Sequence, residues 1–257
     1  MNSIIEYYNH YDEDGRLTAK SHLPEYLVTM HYIEKYLFEG AKILEIGAGT
    51  GRYSVALADK GYDVTAVELV SHNIELMKRK IKAQHKLTIY EGNAVELSFI
   101  KDDTYDIVLL LGPMYHLFTD DDKYAALSEA IRVAKTGGII YAAYCNNETT
   151  MYKMFYKKRI LDYLDRGLIR EDYHGISTPN EIFTLYRKPE IDVMMQRYDV
   201  TRLHFVGVDM LSYLHSNRLN RLNKREFEEY MKFLYCICER EDCVGMSIHM
   251  LDIFRKN

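Results

Sequence analysis

Cysteine and proline are scarce, with four of each in 257 residues. Cys145, Cys236, Cys238 and Cys243 are too few and too clustered to form the disulfide framework of a secreted domain, and their spacing is not that of a zinc knuckle. They read as reduced thiols that join the core, and no metal site is expected. The prolines are scattered, and no repeat, low-complexity tract or Pro/Gly-rich linker divides the chain. Long apolar runs are also missing: no stretch approaches the roughly 18 residues that a spanning helix needs. The start, "MNSIIEYYNHYDEDGR", lacks a basic segment followed by an apolar one, so a cytoplasmic protein is expected. Positive charge is not in excess either. With a formal net charge of −5 the chain has no global basic footprint, so nucleic acid is not the expected partner, and the short "KKR" at 157–159 reads as a solvated helix face.

What is present is hydrophobic patterning sufficient for a sizeable core. Leu23, Leu27, Met30, Ile33 and Leu37 recur at helical spacing, and Gly40 follows where a C-terminal glycine belongs. Strand and helix patterns then alternate. Strands are expected at 42–46, 63–69, 87–90, 105–111 and 139–145. Helices are expected at 52–60 (closed by Gly61), at 71–84 (with Ser71 as N-cap) and from Thr119 through Val133. This alternation implies a parallel sheet with helices on both faces. After Cys145 the regularity lapses into a helical stretch at 150–165, a turn-rich segment and a short "IFTLYR". A helix beginning near Pro189, a strand at 200–208, a helix at 223–241 and a last strand from Val244 to Phe254 complete the chain.

The chemistry is concentrated in "ILEIGAGTGRYS", residues 43–54, where Gly47, Gly49 and Gly51 follow an apolar run that carries Glu45. A dinucleotide fingerprint would need a glycine where Arg52 stands, and it would bring a pyrophosphate to the helix N-terminus. A carboxylate beside the loop opposes that ligand and suits one with a cationic amino acid part.

Glu45-Ile46-Gly47-Ala48-Gly49-Thr50-Gly51 resembles the first motif of the class I, Rossmann-like S-adenosylmethionine-dependent methyltransferases, in particular the small-molecule enzymes related to quinone biosynthesis. The resemblance continues through most of the chain. It implies that Glu68, followed by Leu69, accepts the ribose hydroxyls. It implies also that Asn93 and Ala94 meet the adenine, with Asn93 standing where an acid is common. Leu111 and Gly112 would pass beneath the methionine part of the cofactor. "GPMY" at 112–115 lacks the Asn or Asp and the second proline of nucleobase amino-methyltransferases, which argues against methylation of exocyclic base amines. The tyrosine-rich start resembles a segment that closes over the cofactor, with Tyr11 against the ligand and Arg16 on its carboxylate. His116 is the candidate base or acceptor-orienting residue, with Tyr115 as its neighbour. Tyr173 and His174 are weaker candidates in the cap, and His249 is read as structural.

The fold implied is a seven-stranded methyltransferase sheet, mostly parallel with an antiparallel last strand, an N-terminal helix and an inserted cap. One domain is expected over 1–257. It comprises a covering segment at 1–40, the cofactor-binding core at 41–145, a substrate cap at 146–188 and C-terminal strands and helix at 189–257. S-adenosyl-L-methionine is the expected cofactor and S-adenosyl-L-homocysteine its product. The expected activity is methyl transfer to a small-molecule O, N, S or C nucleophile. RNA or protein methylation, and cofactor binding without catalysis, are the alternative readings.

Overall fold

The computed structural model describes residues 2–10, 19–157, 159–181 and 183–257. Among the described residues eight strands form one sheet: β1 (Lys42–Ile46), β2 (Asp63–Glu68), β3 (Lys86–Glu91), β4 (Tyr105–Leu110), β5 (Ala134–Asn146), β6 (Leu185–Tyr186), β7 (Val200–Gly207) and β8 (His249–Lys256). Their order is β3-β2-β1-β4-β5-β8-β7, and β6 pairs only with β5. Strands β1 to β5 pair in parallel, and β8 inserts antiparallel between β5 and β7. The seven expected strands are present. The eighth is the short stretch expected at "IFTLYR", whose Leu185 and Tyr186 pair with Cys145 and Asn146 where β5 runs on past the end of β4.

Strand geometry sends alternate side chains to opposite faces, and β4 shows this directly. Its Ile107 and Leu109 join a cluster with Val28 and Ile33 of helix Leu23–Tyr36, Leu57 of helix Arg52–Asp59, and Leu234 of helix Lys224–Ile237. Its Val108 and Leu110 join the opposite cluster, with Leu127 and Ala130 of helix Asp120–Val133 and with Ile191 of helix Lys188–Met195. Among the described residues no helix is long and apolar enough to cross a membrane.

Several boundaries differ from the sequence reading, each for a local reason. The helix expected at 71–84 ends at Lys78, because Lys80 and Ile81 donate to the carbonyls of Met77 and Lys78 in tighter three-residue turns. Ser71 does not cap it; its hydroxyl donates to Glu91 instead. Gly40 lies beyond the C-terminus of helix Leu23–Tyr36, whose last turn is left at the extended Leu37. The helix expected at 150–165 is two, Asn147–Tyr156 and Ile160–Asp165, the first capped by the Asn146 side chain on the Glu148 N–H. The last strand begins at His249 rather than Val244, since 241–244 form a helical turn. Thr119 caps its helix as expected, accepting from the Asp122 N–H at 3.1 Å.

This topology prepares one edge of the sheet. The carboxyl ends of the parallel strands share it, and β8, running the opposite way, begins there with His249 paired to Cys145 at the end of β5. Beneath that edge the glycine loop joins β1 to its helix. Gly51 has φ +82°, and an added Cβ would come within 2.4 Å of Cγ of the fully buried Met77. Gly51→Ala is therefore expected to destabilise the fold by about 2–4 kcal/mol, through backbone strain plus overpacking. Gly40→Ala, with the same φ but nothing within 4 Å, should cost only about 1–2 kcal/mol. Denaturant midpoints of the two variants check this, and equal losses would contradict the packing argument.

Candidate active site

The glycine loop is shaped by what lies under it and open to what lies above. Gly47, Gly49 and Gly51 all have positive φ. A Cβ at Gly47 would meet Pro113 Cδ at 2.6 Å, whereas one at Gly49 would find nothing within 4 Å. The loop is thus closed on its Pro113 side and leaves room at Gly49 in a cavity along the carboxyl edge. Glu45, Gly47, Ala48, Gly49, Glu68, Leu69, Asn93, Ala94, Leu111, Gly112, Tyr115 and His116 all line that cavity. Gly51 does not; it is packed beneath the loop against Met77. Tyr11 and Arg16 lie outside the described residues.

Two buried carboxylates hold the loop in place. Glu68, at the last position of β2, accepts from the Gly49 N–H at 2.7 Å, the Val70 N–H at 2.9 Å and the Asn73 side-chain amide at 3.2 Å. Burial raises its pKa above the ordinary carboxylate value, and these donors oppose the rise. Glu45 accepts from the N–H of Ser54 at 2.8 Å and from the Ser54 hydroxyl. It is only 2% exposed, and burial pushes its pKa up to about 8 against the pull of Ser54, with Glu68 adding to the rise. An anionic ligand would have to approach these two acids. A cationic ligand would find a carboxyl group ready to ionise against it.

Arg52 contributes something the sequence reading overlooked. Its guanidinium lies 4.4 Å from the centre of the Tyr26 ring and lines the cavity, and its buried Nε has no hydrogen-bond partner among the described residues. Buried donors are ordinarily paired, so this one finds its acceptor beyond the described residues, in solvent or in a ligand. Read only as a departure from the dinucleotide fingerprint, Arg52 gave no sign of this.

At the other end of the cavity His116 is 9% exposed, and its Nε2 lies 2.8 Å from the Tyr8 hydroxyl. The rings of Tyr115 and Phe183 stand 4.8 and 5.2 Å from it, and the Tyr115 hydroxyl donates to the Leu111 carbonyl at 2.8 Å. Tyr8, from the N-terminal helix Asn2–His10, therefore covers the site; the tyrosine-rich start signalled this in general terms. His174 is turned elsewhere, with its ring nitrogens on the Gly175 carbonyl and Glu190. His249, read as structural, also lines the cavity. Its Nδ1 lies 2.6 Å from Asp209 and 3.6 Å from Glu25. Burial lowers its pKa, but Glu25 and Asp209 together carry it well above the ordinary histidine value. The ligand atoms of Glu25, Asp209 and His249 lie within 4.8 Å of one another, a spacing open to an ion-pair cluster and to a metal ion alike. What could have revealed it is the antiparallel direction of β8, which brings the first residue of that strand to the carboxyl edge.

Comparisons with known proteins agree with this geometry. Residues 43–138 match the family described as Methyltransferase domain. The ubiquinone biosynthesis O-methyltransferase of Nitrosospira multiformis is 23% identical over 69% of this chain and 76% of its own. A protein of Methanocaldococcus jannaschii, provisionally named a ribosomal RNA large subunit methyltransferase, is 30% identical over 56% of this chain and 40% of its own. Most of the curated relatives are spanned for less than two thirds of their length, as with 48% for a Bacillus subtilis relative and 62% for one from Cereibacter sphaeroides. Among solved structures, a chain in the complex between the Haloferax volcanii Trm112 methyltransferase activator and a provisionally assigned methyltransferase aligns with TM-score 0.63. That match is 15% identical and covers 98% of this chain and 96% of that one, a likeness of fold.

The raised pKa of Glu45 has a consequence for stability. Its value of about 8 in the fold, against 4.5 unperturbed, means that the stability tied to its proton is fully present below 4.5 and is lost as pH rises through 8. Glu45→Gln should remove that loss. Unfolding midpoints of wild type and variant measured across this pH range are expected to diverge in favour of the variant at the alkaline end; parallel curves would place the Glu45 proton elsewhere.

Proposed function

Because the chain belongs to the class I S-adenosylmethionine-dependent methyltransferases, related to the quinone-biosynthesis enzymes, we propose that it methylates a small molecule in the cytoplasm, at an O, N, S or C nucleophile. The observation that carries this reading is the single cavity in which the acids beside the glycine loop and the Tyr8–His116 pair meet. The residues at the loop end suit S-adenosylmethionine. Glu68 offers a carboxylate to the ribose hydroxyls with Leu69 beside it, Asn93 and Ala94 offer an acceptor and an N–H to the adenine, and Glu45 offers a charge to the ammonium. Arg52 has a donor for the carboxylate, and Leu111 and Gly112 form the floor beneath the methionine part. Bound there, the cofactor supplies a methyl group on a leaving group already activated by its positive charge.

With the leaving group activated, the work left to this chain is alignment, exclusion of water and management of the acceptor's proton. Tyr8 and Phe183 close the end of the site over His116, which orients the acceptor or takes its proton, and Tyr115 fixes the adjoining wall. The segment at 146–188 serves as the substrate cap. The name of the Nitrosospira relative supports a small-molecule acceptor. The name of the Methanocaldococcus relative favours a second reading, methylation of RNA, which predicts RNA binding that weakens steeply with salt.

The test is mass spectrometry of ligand released from the purified protein, followed by transfer of labelled methyl groups to a metabolite extract and, separately, to total RNA. Label is expected in the small-molecule fraction; label in RNA alone would establish the second reading. Glu68→Ala should weaken S-adenosylhomocysteine binding by about tenfold or more, since each charge-assisted bond is worth roughly 1.5–3 kcal/mol. Calorimetry measures this, and an unchanged affinity would remove the ribose role. His116→Ala should lower turnover by about 10²–10⁴ with cofactor affinity kept; a wild-type rate would make His116 part of the wall only.

A further inference from the structure

Glu25, Asp209 and His249 come together from helix Leu23–Tyr36, the segment after β7 and the first position of β8. Each offers one atom able to ligate a metal, and His249 Nδ1 lies 2.6 Å from Asp209 Oδ2 and 3.6 Å from Glu25 Oε2. Glu25 and His249 line the cavity that holds the glycine loop, and His249 also lines an adjoining cavity with Tyr213 and Lys153. No spacing in the sequence marks this group, because its members lie far apart in the chain.

Both carboxylates are held from behind. Asp209 is wholly buried, and its Oδ1 accepts from the Ser247 hydroxyl and from the Ile248 and His249 N–H groups, which leaves Oδ2 directed at His249. Glu25 accepts from the Tyr213 hydroxyl at 2.5 Å through the same oxygen that lies near His249. Outer hydrogen bonds of this kind fix and orient the carboxylates that ligate metals. Charge points the same way. Even with a cationic imidazole the two carboxylates leave the group net negative, whereas a divalent ion on a neutral imidazole balances them. Lys153, whose Nζ lies 5.6 Å from the centre of the Tyr213 ring, opposes a loosely held cation. That favours an ion bonded to nitrogen as well as oxygen, and one imidazole with two carboxylates suits manganese, iron or zinc better than calcium or magnesium, which prefer oxygen alone.

The geometry points to a binding site for one divalent first-row transition ion, held by Glu25, Asp209 and Nδ1 of His249. On binding, the Nδ1–H bond breaks, the proton leaves to water and the nitrogen lone pair passes to the ion. Ligand atoms about 2.0–2.2 Å from an ion stand about 3 Å or more from one another, so the 2.6 Å contact between His249 and Asp209 opens by a few tenths of an ångström. Water, or an oxygen of a molecule in the cavity, takes the positions that the protein leaves open. The site stands independently of the cofactor and of the methyl acceptor.

The probe is Mn²⁺, which thiols bind weakly, because the chain carries four free cysteines and Cys236 is exposed. Chelator-treated protein is titrated while the electron paramagnetic resonance signal of free Mn²⁺ is followed, and spin-echo spectra of the bound ion report coupling to a directly bonded nitrogen. One ion per chain with that coupling is expected, and Zn²⁺ should displace it, as the order of affinities at nitrogen and oxygen sites requires. Glu25→Gln should weaken Mn²⁺ binding at least about tenfold, no less than the loss of an outer partner costs. His249→Gln should remove the nitrogen coupling. Unfolding midpoints of the ion-free variants report whether they are folded, and the wild-type stoichiometry and coupling test the site without them. No stoichiometric binding to the wild type, bound Mn²⁺ without nitrogen coupling, or folded variants that bind and couple as the wild type does would each overturn the assignment.

Discussion

The Glu68 carboxylate ties the glycine loop to the end of β2, and the shape of the site follows from that tie. One oxygen receives the Gly49 N–H and the other receives Val70 and Asn73, so the loop and the start of the next helix are held by one buried group. Removing such a group from water is costly, and only a full set of donors makes it tolerable. Close packing under the loop depends on glycine in turn, since Pro113 and Met77 occupy the space that side chains at 47 and 51 would need. The loop is therefore tight below and open above at Gly49, the arrangement a ligand lying along the backbone requires.

Charge explains why this loop suits one class of nucleotide ligand and not another. Glu45 and Glu68 are both buried near it, and both are pushed toward the protonated form by that burial. A pyrophosphate would meet two acids. A ligand with an ammonium and a sulfonium would allow Glu45 to ionise, and in the proposed reading Arg52 offers its Nε to the ligand's carboxylate. The opposite end of the cavity has a different composition, with Tyr8, Tyr115, His116 and His249, and with Glu25 beside His249. In the proposed reading, cofactor and acceptor are thus separated along one edge of the sheet.

Much of this was legible in the sequence where the signal was local. The strands β1, β2 and β4 followed from apolar runs, the Thr119 cap from its residue type, and the Glu45-to-Gly51 motif from spacing. What escaped depended on contacts distant in sequence. Nothing near Arg52 reveals that it will stack on Tyr26, and nothing near His249 reveals that Asp209 and Glu25, 40 and 224 residues away, will converge on it. The start of β8 was misplaced because Val244 is apolar enough for either strand or helix, and tertiary packing decides such short segments. The helices at 71–78 and 147–156 end where turn hydrogen bonds set them, which periodicity does not show.

In the proposed reading the loop, its two acids and Arg52 select S-adenosylmethionine over other nucleotides. Calorimetric titration of the ligand-free protein with S-adenosylhomocysteine and, in parallel, with NADH tests it most directly. Saturable one-to-one binding of S-adenosylhomocysteine with no heat from NADH is expected. Tight NADH binding with no affinity for S-adenosylhomocysteine would contradict it.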